Sequence, residues 1–360
     1  MKKVAILTIN DDNNYGNRLQ NYALQETLKK MNVVVETIEN KKGVYGFRYI
    51  IRKVKNYIKI KIPLKMVNER TKTFLKFNRD NIKYSKIGID ENHIHKNINE
   101  KYDCFFTGSD QVWNPTFDRM SDIDFLTFAE KRKRNSFSAS FGINNIPDNM
   151  KHYYKEKLMQ FNNISVREDR GKEIVEELTG RKDVEVLLDP TFLLTAEEWD
   201  KIAQKPKMLR NNKYILNYFL GNLSEKRRRK IEKIAKENNC EIINLLDKQS
   251  PFYNSGPSEF LYLEKNAFLI CTDSFHSSVF SIIFNRPFVI FDREDKLQNM
   301  NSRLETLLRK LNLYDRKCND NLSNESLIYD YSNAYKIIDK EKEKANAFIK
   351  RILNETNNAT

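Results

Sequence analysis

The sequence has few cysteines, and they follow no pattern in which they could act together. Its 360 residues contain four of them: Cys104, Cys240, Cys271 and Cys318. No two form a CxxC pair, and three lie in or beside apolar runs, where an unpaired cysteine packs as a small hydrophobe. The pattern therefore excludes a disulfide framework and a zinc site.

Long apolar runs are also missing. No stretch approaches the roughly eighteen residues that a membrane-spanning helix needs. The N-terminus, MKKVAILTIN, starts with basic residues, but its apolar run is too short for a signal peptide and soon reaches Asp11 and Asp12. We therefore expect a cytoplasmic protein.

The common catalytic and nucleotide-binding motifs are absent. The chain has no P-loop, no GxSxG and no HExxH, and the single glycine of its first loop, Gly16, falls far short of GxGxxG. His93 and His95 share a polar segment without a third ligand nearby. We expect no dinucleotide, no metal and no other cofactor.

Positive charge is abundant and unevenly placed. The formal net charge is +14, and segment 41–84 carries fourteen Lys and Arg residues against two acids, Glu69 and Asp80. Aromatic residues are interleaved with them: Tyr45, Phe47, Tyr49, Tyr57, Phe74 and Phe77. The segment suits a solvated basic helix pair, a surface that docks on anionic lipid headgroups, or a nucleic-acid contact. No nucleic-acid motif accompanies it, so nucleic acid ranks last and is not expected as a partner.

Alternating β and α patterns predict the fold. VAILTIN, the amphipathic stretch RLQNYALQETLKKM and VVVETIE read as strand, helix and strand, and strand-then-loop patterns continue to Asp189-Pro190. A second alternating set begins after a polar stretch near 201–212. The sequence thus predicts an α/β protein with two Rossmann-like domains whose parallel sheets face a cleft. We place the domains at 1–200 and 212–330, with a C-terminal helix and tail at 331–360.

The stretch CTDSFHSSVFSIIFNRPFVIF, residues 271–291, carries the strongest chemical signal. A strand ends at Thr272, and Asp273 or Ser274 can cap the helix that follows. His276 then lies in the first turn, where free N–H groups and the helix dipole favour phosphate or carboxylate. There it can donate a hydrogen bond or a proton, whereas the alternative is a buried or capping histidine.

Three further strand ends of the first domain carry candidate residues. In GSDQVWNP, residues 108–115, Asp110 suits a base toward a sugar hydroxyl and Trp113 suits stacking on a sugar ring, unless the loop is a capped helix start with a packed Trp. Arg167 and Asp189 end strands on the same predicted edge. An arginine there suits bidentate binding of carboxylate or phosphate, and the alternative is a surface salt bridge to Glu168 or Asp169.

In order and spacing these stretches resemble the polysaccharide pyruvyl transferase family from residue 3 to about residue 312. The matching pieces are NYGNRLQNYAL, GSDQVWNP, SVREDRG, LLDPTFLL, TDSFHSSVFSIIFNRPFVIF and NSRLETLLRKLNL. The resemblance implies a GT-B-like architecture and a transferase of exopolysaccharide biosynthesis in the cell envelope. It implies phosphoenolpyruvate as co-substrate and a pyruvate ketal placed across two hydroxyls of a saccharide acceptor, of which lipid-linked precursors are one form.

The resemblance also implies site residues. His276 matches the donor-binding histidine, and Arg167 and Asp110 fall in cleft motifs. We assign catalysis to His276 with Asp110 or Asp189 as base. Donor binding is assigned to Arg167, Ser274, Ser277, Arg286 and Arg303. Acceptor binding is assigned to Asn14, Tyr15, Gln20, Gln111 and Trp113.

One departure from the family pattern concerns the donor. Many members carry Arg two residues before the histidine, where this chain has Ser274. One cation expected on the donor is therefore missing from that position. The candidates to replace it are Arg167, Arg286 and Arg303.

Two other functions fit the same patterns. A GT-B-type glycosyltransferase with a nucleotide-sugar donor would need an acidic ribose-binding residue in the second domain, for which Glu259 and Glu264 are candidates unless they are surface helix residues. A non-enzymatic scaffold would use segment 41–84 at a membrane surface or on nucleic acid. Peripheral contact with the inner face of the membrane is also compatible with the enzyme.

Overall fold

The computed structural model describes residues 1–11, 13–40, 68–211, 213–293, 302–318 and 322–355. The chain divides into two compact units. Unit 1 comprises Met1–Pro190 with Ala345–Thr360, and unit 2 comprises Thr191–Lys344. Each unit contains a four-stranded sheet whose paired strands run parallel. The predicted α/β class with parallel sheets is confirmed, whereas the predicted domain boundaries stay a prediction.

In the described part of unit 1, short strands and helices largely alternate along the chain. Its strands are β1 Lys3–Leu7, β2 Val34–Thr37, β3 Cys104–Thr107, β4 Arg134–Ser136, β5 Ser165–Val166 and β6 Glu185–Val186. Its helices are α1 Tyr15–Lys30, α2 Glu69–Asn81, α3 Ile98–Lys101, α4 Asp148–Leu158 and α5 Asp169–Thr179.

In the sheet of unit 1, the order in which strands are added reverses at β1. Its strand order is β2-β1-β3-β4, and Val4 of β1 faces Val35 on one side and Cys104 on the other. Beyond β4, a bridge between Ala139 and Val166 leads to the pair β5–β6. The chain passes from β1 to β2 on one side and then returns as β3 on the other side of β1. A crevice is therefore expected where the loops after β1 and β3 diverge.

Unit 2 repeats this plan with a second sheet. Its strands are β7 Tyr214–Tyr218, β8 Glu241–Asn244, β9 Leu269–Thr272 and β10 Phe288–Ile290. Its helices are α6 Ala196–Asp200, α7 Glu225–Glu237, α8 Pro257–Asn266, α9 Phe275–Ile283 and α10 Ser302–Leu311. The strand order is β10-β9-β7-β8, so the reversal lies between β7 and β9.

The predicted long charged helix at the C-terminus is present as α11, Ser332–Glu355. Its last turns pack within unit 1. The ring of Phe348 lies 6.3 Å from that of Phe137, and Arg351 donates to Glu185 at 2.8 Å. Apolar residues at helical spacing explain this contact, since Phe348, Ile349 and Ile352 are all buried.

The basic segment is described only from residue 68 onward. Helix α2 begins after Asn68, whose side chain accepts from the Thr71 amide. Phe74 and Phe77 are buried, and Phe74 stacks on Tyr15 at 5.1 Å. A docking surface was one of the interpretations of this segment, and it is wrong for these two aromatics because they belong to the core. Tyr45, Phe47, Tyr49 and Tyr57 lie outside the described residues.

The alternative of a capped helix start is wrong for GSDQVWNP, which forms a run of turns. The stretch SFSASFG, residues 136–142, has the pattern of a strand, but the strand there is β4, Arg134–Ser136, and irregular chain follows it. Within the described ranges, no helix is long and apolar enough to cross a membrane.

Gly108 occupies a position that only glycine suits, and its replacement tests the packing of this loop. Its φ is +101°, and a Cβ there would lie 2.6 Å from the Phe137 carbonyl oxygen. We expect Gly108→Ala to lower the free energy of unfolding by about 1–3 kcal/mol, because backbone strain and a clash with main chain combine. Chemical denaturation measures the loss.

Gly180 supplies the matched control for that substitution. It also has a positive φ, +75°, but a Cβ added there would have no neighbouring atom within 4 Å. Gly180→Ala should therefore cost less than Gly108→Ala. Equal losses for the two variants would show that the close approach at Gly108 contributes nothing.

Candidate functional site

A buried arginine joins two carboxylates at the carboxyl edge of the unit 1 sheet. Arg167 donates from Nη1 to Asp189 Oδ2 at 2.6 Å and from Nη2 to Asp110 Oδ1 at 3.2 Å. The Arg167 and Asp189 side chains are 1% and 0% exposed, and that of Asp110 is 7% exposed. The three groups therefore form one buried ion network on three successive segments of the fold.

Neutral groups complete this network. Ser109 Oγ donates to Asp189 at 2.8 Å, and the backbone N–H of Gln111 donates to Asp110 Oδ1 at 2.8 Å. Asn17, on α1, donates to the other oxygen of Asp110. The loops after β1 and β3 are thereby tied together at the reversal of the sheet. Asp110 itself has a left-handed φ of +67°, a conformation that Asp tolerates better than most residues.

The network sets one cation, Arg167, against two carboxylates. Although burial alone lowers the pKa of an arginine, Asp189, Asp110 and Glu168 raise the pKa of Arg167. The alternative reading of Arg167, a surface salt bridge to Glu168 or Asp169, is wrong because its side chain is buried. Arg167 is buried against Asp110 and Asp189, while Glu168 Oε1 accepts from Ser140 Oγ and the Phe141 amide, both at 2.9 Å.

The residues predicted to bind an acceptor are mostly buried. Trp113 is 0% exposed and stacks on Phe125 at 5.9 Å, with an interplanar angle of 5°. Tyr15 and Gln20 are fully buried, and Gln111 is nearly so. Asn14 caps α1 by accepting from the Asn17 amide. The packed alternative for Trp113 is the one that the structure shows, because core rings surround its indole.

In unit 2, strand β9 runs straight into the N-terminus of α9. Thr272 ends the strand and donates to the Tyr218 carbonyl at 2.6 Å, which joins the ends of β9 and β7. Ser274 is the N-cap, and its side chain accepts from the Ser277 amide. The predicted order of strand, cap and helix is matched residue for residue. Helix N-termini of this kind favour anions.

His276 lies in the first turn of α9, as predicted. It is 7% exposed, and its ring meets the Phe275 ring edge-on at 5.3 Å. The Arg303 guanidinium also contacts Phe275, at 5.9 Å from the ring centroid. The structure thus brings Arg303 to the turn that carries His276.

Arg286 lies at the opposite end of the same helix. Its amide donates to the Ser281 carbonyl, just before β10 begins at Phe288. The nine residues of α9 span about 13 Å at 1.5 Å per residue. Arg286 is therefore at the amino edge of the sheet and away from His276, so the structure gives no support to its predicted donor role.

Arg293 is a cation that the sequence analysis missed. It follows β10 at the carboxyl edge, with Nε 3.7 Å from Asp273 Oδ2 and a side chain only 11% exposed. Asp273 accepts from the amides of Leu220 and Gly221 at 2.7 and 2.8 Å, which fixes the loop after β7. Burial raises the pKa of Asp273, against the lowering effect of those amides and of Arg293. The sequence signal that could have identified Arg293 is an arginine placed directly after an apolar strand.

Glu264 lies under the first turn of α9. It is fully buried on α8, and Ser277 Oγ donates to its Oε1 at 2.6 Å. Burial raises the pKa of Glu264 well above its ordinary value of 4.5, and the Ser277 hydrogen bond opposes this only in part. The alternative reading of Glu264 as a surface helix residue is wrong. Ser277, predicted to bind donor, is turned to this acid instead.

No cluster of three or more His, Cys, Asp or Glu side chains that could hold a metal ion occurs in the part of the chain that the structure describes. The carboxyl edges of both sheets instead carry arginines, hydroxyls and a helix N-terminus. Such edges are where open α/β proteins bind small ligands, and cations with a helix N-terminus suit an anionic one.

A comparison with protein families agrees with this class of site. The family described as polysaccharide pyruvyl transferase matches residues 14–295. The chain belongs to that family and is accordingly a transferase. No curated protein matches the chain.

Several solved structures are similar in fold over nearly the whole chain. UDP-GlcNAc 2-epimerase from Methanocaldococcus jannaschii is 16% identical, with 94% of this chain and 98% of that chain covered and a TM-score of 0.48. The Neisseria meningitidis enzyme bound to UDP-GlcNAc is 13% identical, with 96% and 100% covered and a TM-score of 0.44. These likenesses are too weak to assign a function or an arrangement of the two units.

Removing the guanidinium of Arg167 should destabilise unit 1 strongly. Arg167→Met keeps much of the side-chain volume but leaves Asp110 and Asp189 buried without their cation. We expect a loss of about 3–5 kcal/mol in the free energy of unfolding, measured by chemical denaturation.

Arg170→Met is the matched control for Arg167→Met. Arg170 pairs with Glu173 and Glu177, whose side chains are more than half exposed. Salt bridges between exposed side chains contribute about 0–1 kcal/mol to the free energy of unfolding. A loss as small for Arg167→Met as for Arg170→Met would contradict the account of a buried, charge-balancing arginine.

Glu264→Gln should change how stability depends on pH. Because the folded-state pKa of Glu264 is raised, its proton stabilises the folded protein fully below the ordinary pKa and this stability is lost as pH rises through the folded pKa. Glutamine does not titrate. The variant should match the parent near about pH 4.5 and melt a few degrees higher near about pH 8.

Thermal melts of the two proteins across that pH range measure the difference. Glu259→Gln, on the same helix, is the control, because Glu259 is partly exposed and accepts from the Gly256 amide, as a glutamine oxygen also can. If Glu264→Gln did not raise the melting temperature at about pH 8, or raised it equally at both pH values, Glu264 would not be a buried acid with a raised pKa.

Proposed function

We propose that the protein transfers pyruvate from phosphoenolpyruvate, as a ketal, onto two hydroxyls of a sugar in a cell-surface polysaccharide or its precursor. The observation that carries this proposal is the position of His276. Within a chain of the polysaccharide pyruvyl transferase family, this histidine occupies the first turn of a helix that starts at the carboxyl end of a parallel strand.

The donor site of this proposal is the N-terminus of α9. Phosphoenolpyruvate carries up to three negative charges at the working pH, and first-turn amides together with the helix dipole stabilise anions. Arg293 and Arg303 are linked to this turn by contacts, through Asp273 and Phe275 respectively. They compensate for the arginine that the family pattern places where this chain has Ser274.

His276 has the role of proton donor. Its proton goes to the methylene carbon of phosphoenolpyruvate, and the cationic centre formed at the neighbouring carbon is attacked by one sugar hydroxyl. The C–O bond to phosphate then breaks, and the second hydroxyl closes the ketal. One hydroxyl proton restores His276 and the other leaves with phosphate, so the products are the ketal and inorganic phosphate.

The base assigned to Asp110 or Asp189 needs revision within this proposal. Both carboxylates bind Arg167, and Asp189 is inaccessible. A cation in contact stabilises the ionised carboxylate and lowers its tendency to take a proton. We therefore assign Asp110, Arg167 and Asp189 to holding the edge of unit 1 in shape, and a donor role for Arg167 stays a prediction.

A nucleotide-sugar donor has less support from the geometry. Of the two acids considered for ribose binding, Glu264 is fully buried under α9, and Glu259 is engaged with the Gly256 amide. Neither offers an exposed carboxylate that is free of a structural task.

The test of the proposed reaction is phosphate release from phosphoenolpyruvate with a panel of pyranoside acceptors. We expect acceptor-dependent release in the parent protein and a loss of at least about 100-fold in His276→Ala, because positioned proton donors contribute about 10²–10⁴-fold. His152→Ala is the matched control, since the His152 side chain is 84% exposed on α4.

Two outcomes would count against this assignment. Near-normal release by His276→Ala would remove His276 from the site. If a nucleotide sugar raised the melting temperature and phosphoenolpyruvate did not, glycosyl transfer would replace pyruvyl transfer, because only a true donor stabilises the folded protein by binding.

A further inference from the structure

Unit 2 contains a cavity that the donor site does not use. It has a volume of about 490 Å³ and lies beyond the carboxyl ends of β7 and β8, against one face of α7. This volume falls within the range of about 300–1,000 Å³ that is usual for small-molecule sites. Its position at strand carboxyl ends is where an open parallel sheet binds ligands.

Two asparagines from neighbouring strands form the polar wall of this cavity. Asn217 and Asn244 are register partners in the parallel pair β7–β8. Asn217 Nδ2 donates to Asn244 Oδ1 at 2.9 Å, which orients the Asn244 amide. Among the described residues, no hydrogen bond uses the side-chain N–H groups of Asn244. A fixed amide with its donors available suits a ligand with hydroxyl acceptors.

Asn217 provides an independent indication of a ligand. The residue is 5% exposed, and its Oδ1 is buried with no hydrogen-bond partner among the described groups. An unsatisfied buried acceptor costs about 1–3 kcal/mol. Asn217 also lines the cavity, so the cavity wall contains an acceptor whose hydrogen bond the described groups do not supply.

The charges around the cavity argue against an anionic ligand. Arg228 contributes one positive charge to the lining, whereas Glu232 and Asp247 contribute two negative charges. Arg228 also lies 3.7 Å from Glu225, which further reduces its pull on an anion. A phosphate would therefore meet a net negative lining, whereas a neutral polyhydroxyl ligand would find donors and acceptors on several sides.

Apolar side chains at the floor of the cavity also suit a sugar ring. Phe219, Ile231 and Leu245 line the cavity, and the partly exposed Phe219 ring packs against Phe291 at 5.5 Å. The C–H face of a sugar ring pairs with such a surface, while its hydroxyls reach amides and carboxylates at the rim. We propose that this cavity binds one neutral sugar unit of the saccharide acceptor.

This inference rests on the proposed function for the source of the sugar, but not for the binding itself. It also accounts for an otherwise unexplained result. The acceptor residues expected in unit 1, Tyr15, Gln20 and Trp113 among them, are buried and offer no sugar-binding surface. The cavity in unit 2 supplies such a surface with amides, acids and an aromatic ring.

The test measures sugar binding without phosphoenolpyruvate. Methyl glycosides of neutral hexoses and N-acetylhexosamines are titrated into the full chain, and the side-chain amide signals of Asn217, Asn222 and Asn244 are followed by NMR. We expect saturable shifts of these signals for at least one sugar. Asn244→Ala and Glu232→Ala should each raise the dissociation constant for that sugar about three- to tenfold, as expected for the loss of a hydrogen bond.

Lys236→Ala is the matched control, because Lys236 is exposed on α7 and does not line the cavity. It should leave the dissociation constant unchanged. The inference is overturned if no sugar in the panel shifts the three signals, or if inorganic phosphate or uridine diphosphate shifts them while sugars do not. Equal weakening by Asn244→Ala and Lys236→Ala would overturn it as well.

Failure of this inference and failure of the proposed function are separable. Sugar binding at the cavity without phosphate release from phosphoenolpyruvate would leave the cavity assigned and reject the reaction. Acceptor-dependent phosphate release with an unchanged Michaelis constant for the acceptor in Asn244→Ala would leave the reaction standing and reject the cavity as its acceptor site.

Discussion

In both units the strands of the sheet pair in parallel, and parallel pairing sends the carboxyl end of every strand to the same edge. The chemistry of the protein depends on this constraint. It gathers loops from distant parts of the sequence, so that Asp110, Arg167 and Asp189 meet in unit 1. In unit 2 it places the loops after β7, β8 and β9 side by side, which creates both the α9 terminus and the cavity.

The two edges handle charge in different ways. In unit 1 a buried cation pairs with two buried carboxylates, an arrangement that fixes geometry more than it creates reactivity. In unit 2, burial raises the pKa of Glu264, the acid under the first turn of α9, and so favours its neutral form. Arg293 and Arg303 lie near that turn, and the combination favours an anionic donor there.

The sequence predicted the elements well where the local signal was strong. The strand, cap and first turn around His276 follow from an apolar run, Ser274 and a helical pattern, and all three appear as expected. Long-range contacts were not accessible in this way. Nothing local to Arg167 indicates that its partners are Asp110 and Asp189, since they are 57 and 22 residues away. The same holds for Trp113, whose burial depends on rings from three other segments, and for Glu264, whose environment comes from α9.

The most direct test of the central claim is a crystal structure of the protein with phosphoenolpyruvate. The account predicts the ligand at the N-terminus of α9, with its phosphate or carboxylate within hydrogen-bond distance of His276 and with Arg293 or Arg303 as a cationic partner. The account would be contradicted if phosphoenolpyruvate bound away from His276. It would also be contradicted if a nucleotide sugar displaced phosphoenolpyruvate from the N-terminus of α9.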